Sequence, residues 1–237
     1  MKSLITTASE RKRPFFPQIA LVWRIIFGTL FVITLLLGGF TTLKPVVVLP
    51  RITLAPGFNL VDQTGAQISN EQVRGGIALY NFTYSGCIDD CPQTTPLMAE
   101  VQARVAQLET GGIPVKLVTI SIDPEHDTVE QLAAYADAHN ADPDIWRFAT
   151  GSPMQIKSVI GGGFSTYYTE KEGKIKFDPA FMLVDGNGIL RAEYRTAVPD
   201  TAIILRDINL LVEEAHNSTG PQKLAYEAAH LFLCYPD

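Results

Sequence analysis

The sequence predicts an α/β domain behind one N-terminal membrane-spanning helix. Three observations carry this. Ile19 to Phe40 is an apolar run of about 22 residues broken only by Arg24, enough for a helix to cross roughly 30 Å of hydrocarbon. Between Gly76 and Ala149, apolar strand-like runs alternate with segments of helical periodicity. Near the end, Asp185-Gly186-Asn187-Gly188 separates two more such runs and is a strong hairpin signal.

The anchor comes first. Lys2, Arg11, Lys12 and Arg13 precede the span with Glu10 among them, while Lys44 and Arg51 follow it. An excess of positive charge stays on the cytoplasmic side. This places residues 1–18 in the cytoplasm, 19–40 in the cell membrane and the main domain outside it, in a periplasmic or extracellular setting. Arg24 sits one turn inside the span and can snorkel to the headgroups. A cleaved signal peptide is the competing reading, but no small-x-small site follows the run and the run exceeds a usual signal core. No Cys follows closely, which argues against a lipoprotein anchor.

Residues 41–55 read as a linker and 56–216 as the domain. Phe58 to Val61, with the turn Asp62-Gln63-Thr64-Gly65, is an early hairpin arm. Gly76 to Tyr84 is a buried strand. Thr94 to Leu108 is a helix with Leu97, Val101, Val105 and Leu108 on one face, ended by Gly111-Gly112. Val115 to Ile122 is the next strand. Asp127 or Thr128 caps a helix reaching His139. Ile145 to Ala149 is a third strand, and Ser152-Pro153 opens a short helix ending at Gly161 to Gly163. Strands Phe181 to Val184 and Ile189 to Tyr194 form the hairpin, and Pro199 to His216 is an amphipathic helix. Residues 217–237 are a tail with a short helix, Gln222 to Leu233. The order β-α-β-α-β-α-β-β-α, with helices between parallel strands and a closing hairpin, is a thioredoxin-like arrangement.

Charge narrows the partners. Residues 1–44 hold six of the 19 basic and one of the 25 acidic residues, so the remainder carries a net charge near −11. A nucleic-acid partner is excluded on that ground. The acidity suits a soluble exported domain or one that attracts cations.

The chemistry concentrates in Gly86-Cys87-Ile88-Asp89-Asp90-Cys91-Pro92, between a buried strand and a helix start. Two thiols at i and i+4 can close a disulfide or hold one soft ion. The helix N-terminus favours a thiolate, while Asp89 and Asp90 oppose it. A purely structural disulfide is the plain alternative. Cys234 is the odd third cysteine. With His230 it forms an i, i+4 pair that would complete a metal site if the tail folded over Cys87 and Cys91; a packed or resolving thiol is the alternative. His126, His139 and His216 read as a loop residue and two helix-end residues. Asp123 and Asp178 are carboxylates that the fold would bring near the pair. The sequons at Asn81 and Asn217 read as chance matches.

Gly86-Cys87-x-x-x-Cys91-Pro92, then Ser121-Ile122-Asp123-Pro124-Glu125-x-Asp127-Thr128, and the hairpin Leu183-Val184-Asp185-x-x-Gly188 resemble the Sco (SenC/PrrC) family over residues 56–216. The resemblance implies a thioredoxin-like protein outside the cytoplasmic membrane. It implies one copper ion held by Cys87, Cys91 and a distant His. It also implies a role in assembling the binuclear copper centre of a haem–copper oxidase, by delivering copper or reducing that centre's cysteines. The oxidase copper subunit, or another extracytoplasmic thiol or copper protein, is the implied partner.

The chain departs from the family at the third ligand. Where the His is expected stands Phe177, followed by Asp178 and Pro179, and residues 164–190 contain no His. Pro179 resembles instead the cis-proline that faces the dithiol in redox thioredoxins; an ordinary strand-start proline is the alternative. A second functional reading follows: a metal-independent thiol–disulfide oxidoreductase, with Cys87 as the more exposed attacking thiol and Cys91 resolving. A third is an anchored domain with an inert bridge.

Overall fold

The computed structural model describes residues 16–43, 46–87, 91–171, 174–220 and 222–232. The chain divides into two compact units, Met1–Pro45 and Val46–Asp237. Among the described residues the first contains one helix, α1 (Phe16–Leu43). Within it Ala20–Gly39 is long and apolar enough to cross a membrane. The Thr29 and Thr34 hydroxyls donate to the Ile25 and Leu30 carbonyls one turn back, which satisfies them inside a segment that is apolar apart from these two and Arg24.

The second unit begins with β1 (Thr53–Leu54), β2 (Asn59–Asp62), β3 (Gln67–Ser69) and the one-turn α2 (Asn70–Val73). Then β4 (Ile77–Thr83), α3 (Thr95–Val105), β5 (Val115–Ser121), α4 (Val129–Ala138) and β6 (Trp146–Thr150) alternate. The short α5 (Pro153–Ile156) runs on into a π-helical turn, Lys157–Gly163. A separate hairpin, β7 (Tyr168–Lys171) and β8 (Lys174–Phe177), precedes β9 (Phe181–Val184), β10 (Ile189–Tyr194), α6 (Thr201–Asn217) and α7 (Lys223–Phe232). One sheet takes the order β1-β10-β9-β4-β5-β6-β2-β3. Within it β4–β5 and β5–β6 are parallel and the other pairs antiparallel.

Strand alternation sorts the core into two layers. Ile77 and Leu79, Val115 and Leu117, Trp146 and Phe148, and Phe181 and Leu183 face α3, α4 and α6. Ala78, Tyr80 and Phe82, Val118 and Ile120, Ala149, and Met182 and Val184 face α5, the π-helical turn and Phe164. All seven residues of β4 are buried, which is why that strand reads as a continuous run. At full burial each such aliphatic or aromatic side chain contributes about 1.5–3 kcal/mol.

Two polar networks fix the ends of this sheet. On the helix face Asn81 donates to the Thr94 hydroxyl at 3.1 Å and accepts from Thr119 at 2.6 Å, while the Trp146 indole donates to Thr119 at 2.8 Å. Thr94 is the N-cap residue of α3, so the network pins the start of that helix to β4. At the opposite end the buried Arg191 places all five N–H donors: on the Leu49 and Pro50 carbonyls, Asp185 and Glu214.

The expected linker 41–55 is therefore corrected in its second half. Val48 and Leu49 are buried, and β1 pairs with β10. Arg191 supplies the reason, since it needs those carbonyls to satisfy its donors. Residues 223–232 of the expected tail pack on α6, through Tyr226 to Asn217 and His230 to Glu214.

Candidate functional site

The site is built at the C-terminal end of β4. The ladder continues one step past the strand, with Ile122 N–H donating to Thr83 C=O. Tyr84 to Cys87 then closes a tight turn, Cys87 N–H to Tyr84 C=O at 3.1 Å. A disulfide joins Cys87 and Cys91, with Cα atoms 5.7 Å apart. Asp89 and Asp90 lie outside the described residues. Helix α3 starts only at Thr95, so the pair sits in the loop ahead of the helix and not in its first turn. The expected favour from the helix dipole falls off within that turn.

Exposure within the pair runs opposite to the expectation from sequence order. Cys87 is 7% exposed and belongs to the apolar core cluster, while Cys91 is only partly buried. The turn closed by Cys87 N–H on the Tyr84 carbonyl carries Cys87 into that cluster. Around the sulfurs, the Gln93 side-chain nitrogen lies 3.7 Å from Cys87 Sγ, 3.5 Å from Cys91 Sγ and 3.3 Å from the Cys87 carbonyl. The Pro92 carbonyl lies 3.6 Å from Cys87 Sγ.

The second motif braces the first. Asp127 is buried and accepts from the Ser85 N–H at 3.0 Å and from the Ser85 and Ser121 hydroxyls. Asp123 N–H donates to Ser121 Oγ, and Asp127 N–H to the Asp123 carbonyl. Thus Asp127 does not cap α4; Thr128 does, accepting from Gln131 N–H. Asp127 reaches the residue two before Cys87, a role its sequence position does not announce. The Asp123 carboxylate pairs instead with His126 Nδ1 at 2.9 Å, and this contact raises the exposed imidazole's pKa. The backbone N–H of Asp178, an exposed residue, donates to the Tyr167 carbonyl.

Phe177, at the expected ligand position, is buried in the same cluster as Cys87 and packs edge-on against Tyr84 with ring centroids 6.3 Å apart. It ends β8, and sequence reading missed both this strand and its hairpin partner β7. The alternation Tyr168-Thr169-Glu170-Lys171 and Lys174-Ile175-Lys176-Phe177 around Glu172-Gly173 is the signal that could have found it. The expected cis-proline is also corrected: the Asp178–Pro179 peptide is trans. Pro179 follows β8 and leads directly into β9, an extended path that the ordinarily favoured trans isomer serves.

The remaining histidines lie elsewhere. His139 ends α4 and stacks edge-on against Tyr135, where burial lowers its pKa. His216 Nε2 meets the Thr110 carbonyl. His230, a ligand in the sequence reading only if the tail folded over Cys87 and Cys91, pairs with Glu214 instead. Its Nε2 is 2.9 Å from Glu214, which also holds Arg191 and, through it, Asp185. Asp185 follows β9, whose Val184 pairs with Ala78 at the start of β4. His230 is thus tied to the end of the sheet where β4 begins, while the disulfide follows the other end of that strand. Cys234 lies outside the described residues.

Chemically the pair offers two states. Oxidised, it is an electrophilic disulfide with one partly open sulfur. Reduced, it offers two thiolates, soft donors of the kind that select Cu(I). Two thiolates fit a two-coordinate cargo ion. Where the resemblance implies an imidazole, the buried Phe177 ring stands instead. Among the described residues no group of three or more His, Cys, Asp or Glu is placed to hold a metal ion.

Comparison with known proteins places this architecture. The profile of the SCO1/SenC family matches residues 49–213. An SCO2-like protein of Rickettsia typhi (strain ATCC VR-144 / Wilmington) is 32% identical over 176 residues, covering 69% of this chain and 82% of that protein. The solved structure of BsSco, described as a member of the Sco family of cytochrome c oxidase assembly proteins in which a disulfide switch is identified, is similar with a TM-score of 0.62. It is 25% identical and covers 70% of this chain and 98% of that one. Arabidopsis thaliana ScoI, solved with copper bound, shares the thioredoxin-like fold with a TM-score of 0.58 at 23% identity, over 67% of this chain and 99% of that one.

Proposed function

Since this chain belongs to the SCO1/SenC family, we propose that it is a membrane-anchored assembly factor for the binuclear copper centre of a haem–copper oxidase, working through Cys87 and Cys91. The observation that carries the reading is the disulfide itself, held at the open end of β4 by a turn braced from the second family motif. Residues 19–40 anchor the chain, residues 1–18 face the cytoplasm, and the domain works outside the membrane on the oxidase copper subunit.

The pair is a redox couple that exchanges with thiols of the client centre. When reduced, it also carries one Cu(I) between the two sulfurs. Phe177 in place of the family imidazole shifts the balance toward thiol–disulfide exchange, because a two-sulfur site holds its cargo with one donor fewer. A purely structural bridge is disfavoured by its span of four residues, since constraining so short a loop removes little entropy from the unfolded chain.

Anaerobic titration of the reduced full-length protein in detergent with Cu(I) tests the copper role. One ion per chain is expected, with none bound by the disulfide form or by Cys87→Ser. Absence of stoichiometric binding would remove the carrier role and leave thiol–disulfide exchange alone.

A further inference from the structure

We propose that Gln93 is the positioning residue of the Cys87–Cys91 couple: its side-chain amide donates N–H to both sulfurs and stabilises negative charge on sulfur when the bond opens. This rests on the reading of the pair as a working redox couple.

Three features support it. The first is reach: one amide nitrogen stands 3.5 Å from Cys91 Sγ and 3.7 Å from Cys87 Sγ, distances at which N–H contacts to sulfur form. The second is orientation. The same nitrogen is 3.3 Å from the Cys87 carbonyl, which can only accept, so the NH2 end of the amide, not its oxygen, faces the pair; with one hydrogen on that carbonyl, the other is shared between the two sulfurs. The third is need. Helix α3 begins four residues beyond Cys91, and the Pro92 carbonyl, an acceptor, lies 3.6 Å from Cys87 Sγ. A thiolate facing a carbonyl oxygen is repelled, and among the described residues the amide of Gln93 is a donor that offsets this.

The step is an ordinary exchange. A client thiolate attacks Cys91 Sγ, the more open sulfur. The Cys87–Cys91 bond breaks, a client–Cys91 disulfide forms, and Cys87 Sγ leaves with the bonding electron pair. A second client thiolate attacks its own sulfur in the mixed disulfide and releases Cys91 as thiolate. The client dithiol is oxidised by two electrons and the pair is reduced by two; the thiolates take up protons from water. The reverse sequence reduces a client disulfide. In both directions the sulfur that carries charge lies within reach of the Gln93 N–H groups. A thiolate accepts a hydrogen bond more strongly than a disulfide sulfur does, so the amide favours the reduced state.

The test uses the full-length protein in detergent, equilibrated with glutathione buffers at neutral pH, with the dithiol fraction read by alkylation and mass. Gln93→Leu keeps the bulk without a donor; Gln93→Glu keeps the shape and replaces the donor with a charge. Gln93 is exposed, so both variants fold. The dithiol-to-disulfide ratio is expected to fall about tenfold in Gln93→Leu, equivalent to about 30 mV, and further in Gln93→Glu. The rate of reduction by glutathione falls in the same order. A Glu variant equal to wild type would show that only shape matters and overturn the proposal, as would three identical potentials. A wild-type pair that no glutathione ratio reduces would overturn the redox reading itself, and the role of Gln93 with it.

Discussion

Asp127 accepts from the Ser85 backbone and from the Ser85 and Ser121 hydroxyls, so a single buried carboxylate joins the strand end that leads to Cys87 to its neighbour. Replacement by Ala leaves those donors without their partner, at a cost of about 1–3 kcal/mol for each group that stays dry. We expect Asp127→Ala to lower the denaturation midpoint and to leave the Cys87–Cys91 disulfide more readily reduced by glutathione than in wild type; an unchanged reduction rate would show that the brace does not reach the sulfurs. Two histidines offer a second check at this scale. Hydrogen bonding and charge from Asp123 raise the pKa of His126, and burial against Tyr135 lowers that of His139. Titration of the imidazole C–H signals by NMR is expected to place His126 above and His139 below the ordinary 6.5. Asp123→Asn should bring His126 back down and leave His139 in place.

At the scale of elements, Arg191 and Glu214 tie together β10, α6, α7 and the segment Leu49–Pro50. Removing one partner from such a cluster leaves buried charge uncompensated, so Arg191→Met is expected to cost about 3–5 kcal/mol in chemical denaturation. Burial raises the Glu214 pKa, but Arg191 and His230 outweigh it and hold the carboxyl below its ordinary 4.5. A depressed folded-state pKa means stability that is present above 4.5 and lost as pH falls through the folded value. Acid should therefore loosen the docking of α7 on α6, read by hydrogen exchange, and Glu214→Gln should blunt that response. The elements that sequence made legible are those with long, strong periodicity: the apolar runs of β4 and β5, the Leu97-Val101-Val105 stripe and the Asn187-Gly188 turn. Those it hid are short or depend on distant partners. β1 has two residues and exists through its pairing with β10, and the β7–β8 hairpin pairs only with itself. The site divides the same way. Cys87, Cys91 and Pro92 are visible as a motif, whereas the Asp127 brace and the Gln93 contacts arise from how the chain folds back. The reach of His230 to Glu214, and not to the sulfurs, follows from α7 packing at the opposite end of β4, which no local spacing encodes.

For the whole molecule, the charge split and the apolar run at the N-terminus argue one arrangement. The charged residues among the first 44 are basic apart from Glu10, and the remainder carries a net charge near −11. Protease added to the outside of intact cells or spheroplasts is expected to remove the domain and leave a membrane-held N-terminal fragment; a domain protected until lysis would reverse the topology. The proposed service of Cys87 and Cys91 to the copper centre of an oxidase is read in haem–copper oxidase activity and copper content in membranes of cells lacking this chain, complemented with either the wild-type chain or Cys87→Ser/Cys91→Ser. Both quantities are expected to fall in the deletion, return with wild type and stay low with the double variant. Full recovery with the double variant would contradict that service.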